Sequence, residues 1–215
     1  MNKEIRKSKR LSEALKTCPE TKIKTRLDMG NGKFGEAYLL DDGRVLKITI
    51  DEREYNTAMT LKKKKLKHIV DIYDGWCFNC VYDDEHSDDL FAILEEFVDT
   101  ASKKDIIIKF ISLFKHAWFS IYFSDIEPRQ RATFDDLDEY MRHPQKYHNA
   151  IDFTKRYVLD KGEKHNLKND FEKMYDQLTS AYEELFQNAP CSHLDLNDGN
   201  IGFTSNGILK VFDMQ

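Results

Sequence analysis

The spacing of apolar residues passes from a sparse helical stripe, through alternation, to a long helical period. Residues 1–18 carry Ile5, Leu11, Ala14 and Leu15 on a charged background, which predicts a short helix. From Lys22 the pattern alternates. Ile23 to Met29 and Phe34 to Leu40 read as strands flanking a glycine-rich segment, and Val45 to Ile50 as a third strand after the turn Asp41-Asp42-Gly43. Residues 51–66 have high helix propensity, with Tyr55, Ala58, Met59 and Leu61 as packing residues. Two further strands are predicted, around Ile69–Tyr73 with Trp76–Tyr82, and over Leu90–Phe97, separated by an acidic loop from Asp83 to Asp89.

After Asp99 the helical period takes over. Ile106 to Phe123 is strongly apolar, and shorter helices are expected near 134–142, with Thr133 as N-cap, and over 145–159. The clearest helix runs from Leu167 to Gln187, with Phe171, Met174, Tyr175, Leu178, Ala181, Tyr182 and Leu185 at steps of three and four. Pro190 ends it, and Ile208–Phe212 reads as a final strand. The expected class is therefore α+β: a five-stranded antiparallel sheet with one helix, then a mostly helical part. The best boundary lies near Asp99–Ser102, giving a helical extension over 1–21, a sheet lobe over 22–99 and a helical lobe over 100–215.

Bulk properties narrow the function. A formal charge of −5 argues against a general nucleic-acid binder, which displays a broad basic surface. Four cysteines at scattered spacing do not make a disulfide framework, so reduced thiols and a cytoplasmic setting are expected. The basic N-terminus lacks the apolar core of a secretion signal. The run Ile106–Phe123 carries Lys109, Lys115 and His116, which favours a buried helix over a membrane span.

The candidate chemistry sits at the two ends. Gly30-Asn31-Gly32-Lys33-Phe34-Gly35 lets the backbone turn tightly and approach phosphates, with Phe34 as a cap for the tip. A strand rather than a helix follows these glycines, which excludes a Rossmann unit and a Walker A loop. Lys47 lies between Leu46 and Ile48, so alternation puts it on the opposite face from them. Lysines are rarely buried unless paired, and either Glu54 or Glu52 is a candidate partner by spacing. Near the C-terminus, Asp195 is a candidate base for a hydroxyl proton. Asn200 and Asp213 offer hard oxygen ligands suited to magnesium that also binds phosphate. His193 reads as a brace for that loop. A glycine cover, a lysine, a base and two metal ligands are the parts of a phosphoryl-transfer site.

These segments resemble the protein-kinase superfamily, and most of all the small, divergent kinase domains encoded by bacteriophages. GNGKFGEAYLL resembles the kinase glycine loop, and RVLK the strand whose lysine binds ATP. EYNTAM followed by LKHIVDIYD resembles helix C, which favours Glu54 as the ion-pair glutamate. FAILEEFVD resembles the fifth strand and hinge, implying backbone hydrogen bonds to adenine from Glu96 to Val98. HLDLNDGN resembles the catalytic loop, and FDMQ stands where D-F-G would be. The resemblance implies a two-lobed kinase-like fold and ATP with magnesium, manganese being an alternative ion. It also implies a Ser/Thr protein kinase acting on cytoplasmic proteins, host proteins if the gene is phage-borne, with no nucleic-acid or membrane partner.

Four departures accompany it. Leu194 replaces the arginine before the base, Asn197 the lysine two residues after it, and Gln215 the D-F-G glycine. The sequence also stops there without an activation segment, so the long 100–165 stretch is expected to supply the missing support. Two alternatives stay open: a small-molecule kinase of the aminoglycoside or choline type, and a pseudokinase serving as a binding module. Other features have plain readings. Cys77 and Cys80 are an i, i+3 pair pointing to opposite faces of a strand, Lys62–Lys65 is a solvated helix end, and Trp118, Phe119, Tyr122 and Phe123 are core.

Overall fold

The computed structural model describes residues 3–16, 23–27, 35–82, 86–101, 103–125, 148–190, 192, 194 and 196–214. The architecture is α+β, and the chain forms two compact units. The first comprises Met1–Leu66, Val70–Phe97 and Met214–Gln215; the second comprises Lys67–Ile69 and Val98–Asp213.

The first unit is built on an antiparallel sheet of β1 (Ile23–Leu27), β2 (Gly35–Leu40), β3 (Arg44–Thr49), β4 (Ile72–Val81) and β5 (Ser87–Glu96), in the order β1-β2-β3-β5-β4. Gly43, at φ 87°, closes the β2–β3 turn in a conformation that glycine adopts without strain. The alternation of β2 and β3 sends Tyr38, Leu40, Leu46 and Ile48 to one face, where they join Cys80, Leu90, Ala92 and Leu94. Helix α1 (Lys3–Leu15) covers that face with Ala14, fully buried, flanked by Leu11 and Leu15. The N-terminal helix thus belongs to the sheet unit. Helix α2 (Glu52–Leu61) serves the other face, where Tyr55 stacks on Phe91 at 4.9 Å between centroids. Gly75 permits this approach: a Cβ there would sit 2.4 Å from Met59 and 3.0 Å from the Ala92 carbonyl.

Three boundaries differ from expectation. Helix α2 stops at Leu61 rather than running to residue 66, because Lys63 turns into the left-handed region (φ 67°) and Lys62 is drawn to Asp74 at 2.5 Å. β4 runs unbroken through Asp74 and Gly75, absorbing a register shift between Ile72 and Asp74. β5 begins at Ser87, so Asp88 and Asp89 of the expected acidic loop are strand residues.

The second unit packs α3 (Lys104–Asp125), α4 (His148–Glu163) and α5 (Lys168–Asn188) with a hairpin of β6 (Ile201–Phe203) and β7 (Leu209–Val211). Of the stripe predicted for α5, the residues from Phe171 to Leu185 are buried, while Leu167 stands at the N-cap and is half-buried. Phe171 meets Phe110 of α3 edge-on at 5.7 Å, and Tyr175 meets Phe114 at 5.8 Å. Gly162 lets α4 close on α5, since a Cβ there would lie 2.7 Å from the Phe171 ring. The Tyr175 hydroxyl donates to the Ile151 carbonyl at 3.0 Å. No helix among the described residues is long and apolar enough to cross a membrane. The helix expected near 134–142 and the side chains of Trp118, Phe119, Tyr122 and Phe123 lie outside what is described.

Residues 67–69 cluster with the hairpin. His68 accepts from the Val211 amide at 2.9 Å through its carbonyl and contacts the Leu209 carbonyl through Nδ1 at 3.0 Å. Its own amide donates to Glu184 at 2.8 Å. Ile69 bridges Val211 in parallel, and its carbonyl accepts from the buried Lys210 ammonium at 3.1 Å.

Two consequences are testable. Phe171→Ala should cost about 3–5 kcal/mol in urea denaturation, because it empties the ring-packed centre of the helical unit; a loss under 1 kcal/mol would remove Phe171 from that role. Burial also raises the pKa of Tyr175 above its ordinary value of 10, so the folded state keeps a proton that the unfolded chain releases first. Its stabilising contribution is complete below pH 10 and declines as the pH climbs beyond it. Tyr175→Phe should therefore flatten the alkaline limb of the stability profile, and parallel limbs for the two proteins would contradict this.

Candidate functional site

In the first unit the sequence constructs a buried ion pair. β3 is central, between β2 and β5, with Lys47 in register with Ala37 on one side and Ile93 on the other. Lys47 is only 2% exposed, a state an ammonium tolerates in low dielectric only when paired. Its partner is Glu54, itself 5% exposed. The local code of α2 explains the choice. Asp51 is the N-cap, accepting from the Arg53 amide at 2.9 Å and the Glu54 amide at 3.4 Å. That cap places Glu54 on the buried side of the first turn and leaves Glu52 in solvent. The choice left open by spacing is thus decided by the cap. Gly35 completes the neighbourhood: a Cβ there would lie 3.0 Å from the Ile48 carbonyl and 3.7 Å from Lys47 Cε. Gly30, Asn31, Gly32, Lys33 and Phe34 lie outside the described residues.

In the second unit, Asn200 and Asp213 are tied through the backbone. Asn197 forms an Asx-type turn, its Oδ1 accepting from the Gly199 amide at 2.8 Å. The Asn200 amide then donates to the Asn197 carbonyl at 3.2 Å, and Asn200 is buried. The Asn200 carbonyl accepts from Phe212 at 3.1 Å, which holds the loop against the residue preceding Asp213. The β6–β7 turn that returns the chain is closed by Gly207 at φ 72°. Asp213 has φ 63°, a left-handed conformation that costs an ordinary residue about 1 kcal/mol and concentrates at functional positions. The oxygens of Asn200 and Asp213 suit magnesium, which keeps waters and phosphate oxygens as its remaining ligands. No group of three or more His, Cys, Asp or Glu side chains able to hold a metal occurs among the described residues. Asp195 and His193 lie outside them, though the flanking Leu194 and Leu196 are both buried.

At the expected hinge several backbone groups have partners within their own units. The Glu96 amide is already engaged, donating to the Asp71 carbonyl at 2.9 Å, while the Glu96 carboxylate accepts from the Asp71 amide at 3.1 Å. Val98 is buried, and Asp99 beside it exchanges both backbone hydrogen bonds with Phe203 at 3.1 Å.

Other features resolve simply. Lys62 and Lys65 pair with Asp74 and Asp71, each at 2.5 Å, so the basic run is committed within its own unit. Cys77 is exposed and Cys80 buried, as opposite strand faces require. One cluster escaped sequence reasoning: Arg10 of α1 meets Glu36, Tyr82 and Asp88. These residues come from distant stretches without a shared motif; only Glu36, alternating with Tyr38 and Leu40, marked an acid on an apolar face.

No protein-family model and no curated protein matches this chain.

The ion pair gives a clear mutational signature. Lys47→Met alone should cost about 3–5 kcal/mol, because Glu54 is left charged and buried, whereas adding Glu54→Leu should recover most of that loss. Urea denaturation of the single and double variants checks this; a double variant as unstable as the sum of the singles would show that the two groups are uncoupled.

Proposed function

We propose that this chain is an ATP- and magnesium-dependent phosphotransferase with a kinase-like two-lobed fold, transferring the γ-phosphoryl group to Ser or Thr hydroxyls of cytoplasmic proteins. The observation that carries the reading is the buried pair of Lys47, on the second strand after the glycine-rich segment, with Glu54 of α2. A buried ion pair contributes little net stability compared with apolar residues of the same volume. Its retention is better explained by work on an anion: Glu54 fixes the ammonium, and Lys47 binds the α- and β-phosphates. The sheet order β1-β2-β3-β5-β4, with a single helix after β3, accords with this reading.

The remaining roles follow from residue chemistry. The glycine segment over 30–35 supplies backbone amides for the phosphates. Asn200 and Asp213 would hold magnesium, which would supply positive charge beside the phosphates. Asp195 accepts the proton of the attacking hydroxyl as its oxygen bonds to the γ-phosphorus. The bond from that phosphorus to the bridging oxygen breaks, and ADP departs with the electron pair. The left-handed backbone at Asp213 and the hydrogen bond from Phe212 to Asn200 support a ligand pair held in place before the ion arrives.

Transfer of labelled γ-phosphate from ATP to casein or to the chain itself tests the proposal. Asp195→Ala should lower the transfer rate about 10²–10⁴-fold while ATP affinity changes little. Equal rates for the variant and the wild type would remove Asp195 from the reaction, and no transfer by the wild type with either magnesium or manganese would end the enzymatic reading.

A further inference from the structure

We infer that Arg10 of α1 is a positioning residue for nucleotide binding, acting through Glu36 on the strand at the root of the glycine-rich segment. This rests on the phosphotransfer reading above. Glu36 is the second residue of β2, directly after Gly35, and it is buried on the face covered by α1. One carboxylate oxygen, Oε2, accepts from the Tyr38 hydroxyl at 2.5 Å. The other, Oε1, is buried without a hydrogen bond to any described residue, and Arg10 Nη1 faces it at 3.8 Å.

The guanidinium cannot drift to follow that carboxylate. Its Nε donates to the Tyr82 hydroxyl at 2.5 Å and its Nη2 to Asp88 at 2.6 Å, while Tyr82 itself donates to Asp88 at 2.8 Å. Arg10 is therefore anchored at the β4–β5 end of the sheet and presents its remaining edge to β2, which the strand order places on the far side of β3. A planar fork with several fixed donors suits this task better than an ammonium. Glu36 in turn lies between Gly35, where a Cβ would press to 3.0 Å on the Ile48 carbonyl, and Ala37, which pairs with Lys47 in register. Removing the cation leaves a buried charge at that point, and β2 must shift or open to hydrate it. The strand that carries both the loop root and the neighbour of Lys47 is thereby held by a residue of the N-terminal helix.

The experiment uses the full chain and Arg10→Ala. ATP·Mg affinity should weaken about tenfold, and steady-state transfer should show that loss in KM with kcat within about twofold. Amide exchange over residues 35–38 should quicken, and Arg10→Lys should recover part of each effect. Because Cys80 lies fully buried under α1, its alkylation in a background with Cys18, Cys77 and Cys191 all changed to Ser reports whether the helix remains docked. Protection should persist, since Leu11, Ala14 and Leu15 still hold α1. Glu36→Gln serves as the second variant: adding Arg10→Ala to it should change affinity less than about twofold, the mark of residues acting as one unit.

A wild type that binds ATP while Arg10→Ala binds it equally well overturns the inference alone. A wild type that binds no ATP overturns the phosphotransfer reading and the inference with it. Rapid alkylation of Cys80 in Arg10→Ala makes Arg10 an anchor of the helix and overturns the positioning role.

Discussion

An ammonium removed from water is the constraint around which the sheet unit is organised. Lys47 lies in the central strand, and burial there is tolerable only because Glu54 reaches it. That requirement fixes α2 along its length. Asp51 must cap the helix so that Glu54 falls on the inner side of the first turn. Gly75 must lack a side chain so that Met59 and Tyr55 can close on β4 and β5. The helix cannot slide or rotate by one residue without stranding a charge, so the pair specifies a register as well as a contact.

The two faces of the sheet divide the labour. One is apolar, from Tyr38 through Leu94, and is sealed by Ala14 with its neighbours on α1. The other carries Lys47 and receives α2. With both faces covered, β3 reads as an almost continuous buried run from Val45 to Thr49, the pattern of an interior strand. In the helical unit aromatic packing performs the corresponding role: Phe110, Phe114, Phe171 and Tyr175 interlock α3 with α5, and glycine at residue 162 brings α4 into the same layer.

Much of this was legible because it follows local periods. The stripe of α5 and the outward turn of Cys77 against Cys80 are properties of helix and strand geometry alone. So is the placement of Lys47 opposite Leu46 and Ile48. What escaped depends on partners distant in sequence. Helix propensity continues past Leu61, yet the helix ends there as Lys62 and Lys65 turn to aspartates of the β4 region. Asp88 and Asp89 look like loop residues until Arg10 and Asn79 supply their partners. In each case a side chain far away in the chain overrode a local preference.

The short stretch at residues 67–69 has a consequence for biosynthesis. His68 waits 116 residues for Glu184 and 141 for Leu209, and the Ile69 carbonyl waits 141 for Lys210. On a chain growing from its N-terminus, the sheet unit can assemble most of its hydrogen bonds early, since its strands are near neighbours in order. His68 and Ile69 lack these partners until Glu184, and then Leu209 and Lys210, have been made. The nascent polypeptide thus carries an unfinished seam over that whole interval, and its register is set by residues made long after it.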